Sequence, residues 1–219
     1  MFHGGGWISG DKTAYHFEAE YFCSHGIACA CIGYRLAPLH QFPAATQDAL
    51  SAVAFLRQNA AELQLDANRL VAFGNSAGGH LACIAGLQQE FPNGEPAQNT
   101  NAVVSICAIT DVRNPDESQY PIAMSFLEQF MGQSHSESPE SYANASPITH
   151  IRENAPPFLI FHGSNDEIVP ADQARQLFLA LTQSGVSAEL HIMENEGHSF
   201  SMPSWLKIRE QTVEFVKTL

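Results

Sequence analysis

The run Gly74-Asn75-Ser76-Ala77-Gly78-Gly79 fits the spacing G-x-S-x-G and sits between an apolar run at 69–74 and a helix-like run that opens at Ala77. A strand that reverses tightly into a helix holds its serine in a strained backbone conformation, and glycines on either side let neighbouring backbone approach. The hydroxyl of Ser76 is then pushed out of the sheet, toward a substrate. Ala77 supplies a backbone N–H at the helix start, where unpaired amides and the helix dipole favour a developing oxyanion. A serine hydroxyl is a poor nucleophile at neutral pH, so this reading requires a base and a group that orients the base.

The chain order expected for such a site is Ser, acid, His. Phe161-His162-Gly163-Ser164-Asn165-Asp166-Glu167 follows an apolar run at 158–162, and Glu196-Gly197-His198 follows another at 187–193. Asp166 competes with Glu167 for the acid. Asp166 is the expected one because it directly precedes Glu167-Ile168-Val169-Pro170, where the chain turns into the next helix. Among ten histidines, His191 lies inside a strand and His80 inside a helix, so both read as packing or surface residues. His162 ends a strand and could wall the site. His198 alone sits in a glycine-flanked loop after the last strand, and it is the expected base. At the start of the chain, His3-Gly4-Gly5-Gly6-Trp7 can adopt a backbone closed to other residues, with N–H groups turned into a cavity. That suits a second arm of an oxyanion hole; the competing reading is a flexible terminal tail.

These residues need a scaffold that brings three distant loops to one edge. The pattern predicts strands at 27–34, 69–74, 102–109, 158–162 and 187–193, with helices at 43–59, 77–88, 171–184 and 203–218. Strands apolar on both faces and separated by helices indicate an α/β fold, a mostly parallel sheet with helices on both faces. Ligands in such sheets bind beyond the carboxyl ends of the strands, where Ser76, Asp166 and His198 all fall. The stretch 111–157 is long and irregular and carries Pro115, Pro121, Pro139, Pro147, Pro156 and Pro157. Phe126, Leu127, Phe130 and Met131 within it predict a small apolar helix, and the stretch is expected to form a cap.

The 219 residues are 45% apolar, enough to bury one core, and they predict a single domain over 1–219. The formal charge of −13, from 23 acidic and 10 basic side chains, argues against nucleic-acid binding, which needs a cationic face. No apolar run is long enough to span a membrane. The five cysteines form no C-x-x-C pair and read as reduced, buried thiols, which favours a cytoplasmic location. No Cys/His cluster or H-x-x-x-H spacing offers a metal site. Neither a cofactor nor a metal is expected.

Taken in register, His3-Gly4-Gly5-Gly6-Trp7, Gly33-Tyr34-Arg35-Leu36-Ala37-Pro38, Phe42-Pro43-Ala44-Ala45 leading to Asp48, the Ser76 turn, His162-Gly163 with Asp166, and Gly197-His198 resemble α/β-hydrolase esterases. The branches resembled are the hormone-sensitive-lipase-like and the feruloyl-esterase-like (BD-FAE) ones, and the resemblance covers essentially the whole chain. It implies an α/β-hydrolase fold and a cofactor-free serine carboxylesterase; the small cap expected over 111–157 adds the expectation of small, short-chain acyl esters. Ser76 would be the nucleophile, His198 the base, Asp166 its acid, and Gly5, Gly6 and Ala77 the oxyanion amides, with the choice of two among Gly4, Gly5 and Gly6 left open. Alternatives are a sugar deacetylase, an arylformamidase-like amidase, or an incomplete hydrolase fragment or binding protein of the same shape.

Two departures accompany the resemblance. The lipase-like branch commonly has Asp before the serine and Asn after the second glycine, where this chain has Asn75 and His80. The feruloyl-esterase-like branch is therefore the nearer one. The family also places strands before the glycine loop, one of them between the segments 27–34 and 69–74, whereas only Met1 and Phe2 precede His3 here. The resemblance thus implies a chain that lacks the family's N-terminal strands, a truncated or mis-started version of a longer esterase in which a leader could precede Met1.

Overall fold

Four apolar runs pair into one parallel sheet, β1 (Val71–Asn75), β2 (Ala102–Ile106), β3 (Phe158–Gly163) and β4 (Ala188–Met193), in that spatial order. The structure, a computed structural model, describes residues 1–113 and 121–219. Every residue of β2 and β3 is buried, the pattern of strands covered on both faces. Alternation along each strand sorts the side chains into two cores. On one face Val103, Phe158 and Ile160 pack with α2 (Ala44–Gln58), α3 (Ala77–Leu87) and α6 (Asp172–Gln183) through Val53, Leu81 and Leu177. On the other, Val104, Leu159 and Phe161 meet α1 (His16–Ser24) and α7 (Met202–Lys217) through Phe22, Ile208 and Val213.

The predicted elements recur within one or two residues, apart from three differences. The strand expected to run to 109 stops at Ile106, because Cys107 turns to φ 46° while its N–H bonds the carbonyl of Phe161. Helix α1 is absent from the pattern read above. The strand expected at 27–34 shrinks to one bridge at Ile32. Its neighbour in the sheet is Phe2, which bridges Ile32 on one side and Gly74 on the other. The Phe2 N–H donates to the Phe73 carbonyl at 2.8 Å, and the Ile32 N–H donates to that of Met1 at 2.9 Å. Segment 27–34 and β1 are therefore not paired directly. Met1 and Phe2 stand between them, and two residues give a ladder one bridge long. Beyond Met1 the two segments flank an apolar cleft of about 620 Å³ lined by residues such as Ile27, Leu56 and Leu70.

Between β2 and β3 the chain forms α4 (Pro121–Met131), α5 (Pro139–Ala145) and a 3-10 turn at Pro147–His150. The expected apolar helix is α4, with Leu127, Phe130 and Met131 buried; Pro115 lies outside the described residues. No helix among the described residues is long and apolar enough to cross a membrane. All five cysteines are free.

Candidate active site

Strand β1 runs into α3 with no intervening loop, so Ser76 caps the helix in a conformation of φ 54° and ψ −125°. Such a sparsely populated conformation costs an L-residue about 1–3 kcal/mol. It is held by the Ser76 N–H, which donates to the Ile106 carbonyl at 2.8 Å, and by the close packing of glycines. A Cβ on Gly78 would lie 1.9 Å from the Phe2 carbonyl oxygen, and one on Gly74 would lie 2.3 Å from that of Gly78. Only hydrogen fits at either position.

The loop after β4 carries His198 to this turn. Its Nε2 is 3.0 Å from Ser76 Oγ, and its Nδ1 is 2.8 Å from Asp166 Oδ2. With an ionised carboxylate on Nδ1, the proton sits on Nδ1 and Nε2 accepts from the serine hydroxyl. Asp166 is enclosed. Its Oδ1 accepts the N–H groups of Ile168 and Val169, at 2.9 and 2.8 Å. Its Oδ2 faces His162 Nε2 as well as His198. Burial alone would push the Asp166 carboxyl up, but the hydrogen bonds from His162, His198 and Val169 outweigh it and hold the group well below the usual carboxylate range. Glu167 takes a different position: its Oε2 accepts the backbone N–H of His198 at 3.3 Å.

His3 to Trp7 form a tight loop against the same turn, with Gly5 at φ 116° and Gly6 and Trp7 at φ 59°. The Gly5 carbonyl accepts the N–H groups of Ile8 and Ser9. A Cβ on Gly5 would lie 2.3 Å from the Ser9 carbonyl oxygen, and one on Gly6 would lie 2.7 Å from the ring of Phe126 in α4. Ser76, His198 and Gly4 to Gly6 line one cavity of about 760 Å³, walled by Met124, Phe126 and Leu127 of α4 and by Tyr15 and Trp205. Glu18, Asp111 and Asp172 also line it, and no Lys or Arg does among the described residues. Ala77 begins α3 and is fully buried behind the serine.

Several neighbours were not read as site residues. Tyr15 donates its hydroxyl to Asn75 Oδ1 at 2.6 Å, tying the residue before Ser76 to the turn ahead of α1. That contact spans 60 residues and has no local signature. Gln173 of α6 accepts the N–H groups of Thr110 and Asp111, both at 2.7 Å, and so fixes the start of the segment that leads to α4. His162, read as a wall, is fully buried behind Asp166. Cys107, His162 and Asp166 are metal-ligating residue types gathered within 4.8 Å. Burial, with Asp166 beside it, pushes the Cys107 thiol well above its ordinary range, away from the thiolate a metal needs. The Asp166 oxygens are meanwhile committed to hydrogen bonds.

The BD-FAE family model matches residues 1–181. The chain is 32% identical over 210 residues to Esterase LipC of Mycobacterium tuberculosis, covering 91% of this chain and 52% of that protein. It is likewise 32% identical over 213 residues to the probable carboxylic ester hydrolase LipM of the same organism, covering 91% and 48%. The chain thus spans about half the length of these relatives. Among solved structures, the propionate-bound esterase Est2 of Thermogutta terrifontis superposes with a TM-score of 0.82 at 29% identity, covering 99% of this chain and 81% of that one.

Proposed function

The chain belongs to the BD-FAE family, and on that premise we propose that it is a serine carboxylesterase working through Ser76, His198 and Asp166. The carrying observation is the unbroken chain of hydrogen bonds from Asp166 Oδ2 through His198 to Ser76 Oγ, at 2.8 and 3.0 Å, on the wall of a cavity. Ser76 Oγ attacks the ester carbonyl carbon while its proton passes to His198 Nε2. Asp166 keeps the imidazole in the Nδ1–H tautomer and stabilises its cation. The carbonyl oxygen becomes an oxyanion and takes hydrogen bonds from the Ala77 N–H and from those of Gly5 and Gly6. The left-handed turns at Gly5 and Gly6 support that choice over Gly4. Collapse of the intermediate breaks the bond to the alcohol oxygen, which leaves with the proton from His198. Water then repeats the sequence on the acyl-enzyme, releasing the acid and restoring Ser76.

Of the expected cap over 111–157, the described part from Pro121 onward serves that role, since α4 brings Phe126 and Leu127 to the wall of the cavity that Ser76 lines. Phe126 lies against the glycine loop, and a wall that close to the reacting carbonyl suits short acyl groups. Est2, the structural relative described as propionate-bound, supports the same range. With three carboxylates and no Lys or Arg among the described lining residues, the site suits an uncharged ester.

The test is hydrolysis of p-nitrophenyl esters from acetate to dodecanoate, with Ser76→Ala alongside. Turnover that vanishes in the variant, with its optimum at the short end, is the expected result. A folded chain that turns over none of them and resists fluorophosphonate labelling would point to the binding-protein reading instead.

A further inference from the structure

Outside bonds reach the backbone of the glycine loop only at its ends, from the Tyr34 hydroxyl to the His3 carbonyl at 2.8 Å and from the Ala37 N–H to the Trp7 carbonyl at 2.9 Å among the described residues, yet Trp7, a bulky residue, sits in the left-handed region at φ 59°, where L side chains are disfavoured. Something outside the loop must fix it. Trp7 is buried, and its indole Nε1–H donates to Nδ1 of His80 at 3.2 Å. His80 is one turn into α3, and its backbone N–H donates to the Ser76 carbonyl at 2.9 Å. The other ring nitrogen, Nε2, lies 2.7 Å from the carbonyl oxygen of Ala145, the last residue of α5. A carbonyl can only accept, so Nε2 carries the proton and Nδ1 is left as an acceptor aimed at Trp7. Burial keeps this ring neutral by pushing its pKa down to about 4. The rings of Trp7 and Phe130 stack at 4.4 Å, and His80 meets Trp7 edge-on at 5.2 Å.

We propose that His80 is a positioning residue for the oxyanion loop: its Ala145-fixed tautomer holds the Trp7 indole, and through it the Gly5 and Gly6 amides, in register with Ser76. One imidazole thereby joins the nucleophile's helix, the glycine loop and the segment over the cavity. A buried histidine needs partners for both ring nitrogens wherever it sits; what points to positioning here is that one of the two partners is Trp7 of the glycine loop. The proposal rests on the esterase reading for its kinetic consequence but not for its structural one.

Three substitutions separate the two ring nitrogens. His80→Asn puts a carboxamide oxygen near the Nδ1 position and keeps an acceptor for Trp7 while losing Ala145. His80→Gln reaches the Nε2 position and keeps Ala145 while losing Trp7. His80→Phe keeps the volume and loses both. Misplacing an oxyanion donor costs roughly 100-fold in kcat, so His80→Phe and His80→Gln are expected to lose about that much with KM little changed, and His80→Asn to retain most of the parent kcat. Hydrogen exchange over residues 3–9 is read in parallel, faster in the Phe and Gln variants and parent-like in the Asn variant. This readout needs no turnover, so loss of the esterase reading and loss of this proposal are told apart. Should His80→Phe not fold, Trp7→Phe removes the same bond from the other side and carries the same expectation. Parent-like kcat and exchange in His80→Phe or Trp7→Phe would overturn the proposal, as would equal losses in the Asn and Gln variants.

Discussion

His162 Nε2 lies 3.2 Å from Oδ2 of Asp166, the same oxygen that binds His198 at 2.8 Å. One carboxylate oxygen thus faces two imidazoles, and His162 also reaches the Val169 carbonyl at 2.9 Å. The second imidazole comes from within β3, a rigid element, whereas His198 sits on a loop. The carboxylate is thus held from the sheet on one side and meets the loop histidine on the other.

Asp166→Asn keeps the shape of the side chain but offers an amide in place of a pure acceptor. The His198 ring can then settle in the wrong tautomer, and kcat is expected to fall by about 10,000-fold. Glu167→Gln retains an acceptor for the His198 N–H and is expected to change kcat only slightly. Single-turnover acylation of both variants decides between the two carboxylates. A larger loss at Glu167 would reverse the assignment.

Much of this site could be read from local sequence because its parts are local. The serine turn needs glycines at fixed offsets, and Asp166 and His198 lie directly after strands whose apolar runs are plain. What could not be read is carried by long-range contacts. His80 reads as one more residue of an apolar helix, and its partners Trp7 and Ala145 lie 73 and 65 residues away. Helix α1 buries little besides Phe22 while leaving Phe17 largely exposed, so it shows no clean apolar stripe. The run at 27–34 has the composition of a strand, but a strand also needs a partner of matching length, and Met1 and Phe2 supply one residue of pairing.

Acid should weaken the fold through His80. Its folded pKa is lowered to about 4 from the ordinary 6.5, by burial first and by nearby His150 as well, against the Ala145 bond. Above pH 6.5 both folded and unfolded forms are neutral at this position, and its stabilising effect is complete. As pH falls toward 4 the unfolded chain takes up the proton and the folded one does not, which removes about 3 kcal/mol. Urea unfolding at pH 7 and pH 4.5 measures the loss, and His80→Asn should make the dependence shallower. Equal slopes in parent and variant would show that other groups carry it. Asp166 adds its own loss below the usual carboxylate range, where the unfolded chain takes up a proton that the depressed folded carboxyl does not.

Charge on the substrate should matter through binding. Glu18, Asp111 and Asp172 line the cavity without a Lys or Arg among the described lining residues, although Arg209 and Arg113 pair with the first two from outside it. An ester bearing a free carboxylate is expected to show a raised KM against a neutral ester of equal length. Added salt should narrow the difference, because screening weakens the repulsion. Equal KM values at low salt would remove charge as a selector.

Acyl length should be set by Phe126. Its ring lies where a Cβ on Gly6 would meet it at 2.7 Å, so it closes the cavity directly beside the proposed oxyanion amides. Phe126→Ala removes most of that wall without touching Ser76, His198 or the Trp7–His80 bond. The chain-length optimum is expected to move toward longer p-nitrophenyl esters. Acetate should lose kcat/KM through weaker positioning, since an acyl group too small for its pocket samples unproductive orientations. Leu127, buried one position further along α4, is expected to shift the optimum less and to cost more stability, because Leu127→Ala opens a core cavity worth about 2–5 kcal/mol. An unchanged optimum in Phe126→Ala would place the acyl group on the Tyr15 and Trp205 side of the serine, and the alcohol under α4.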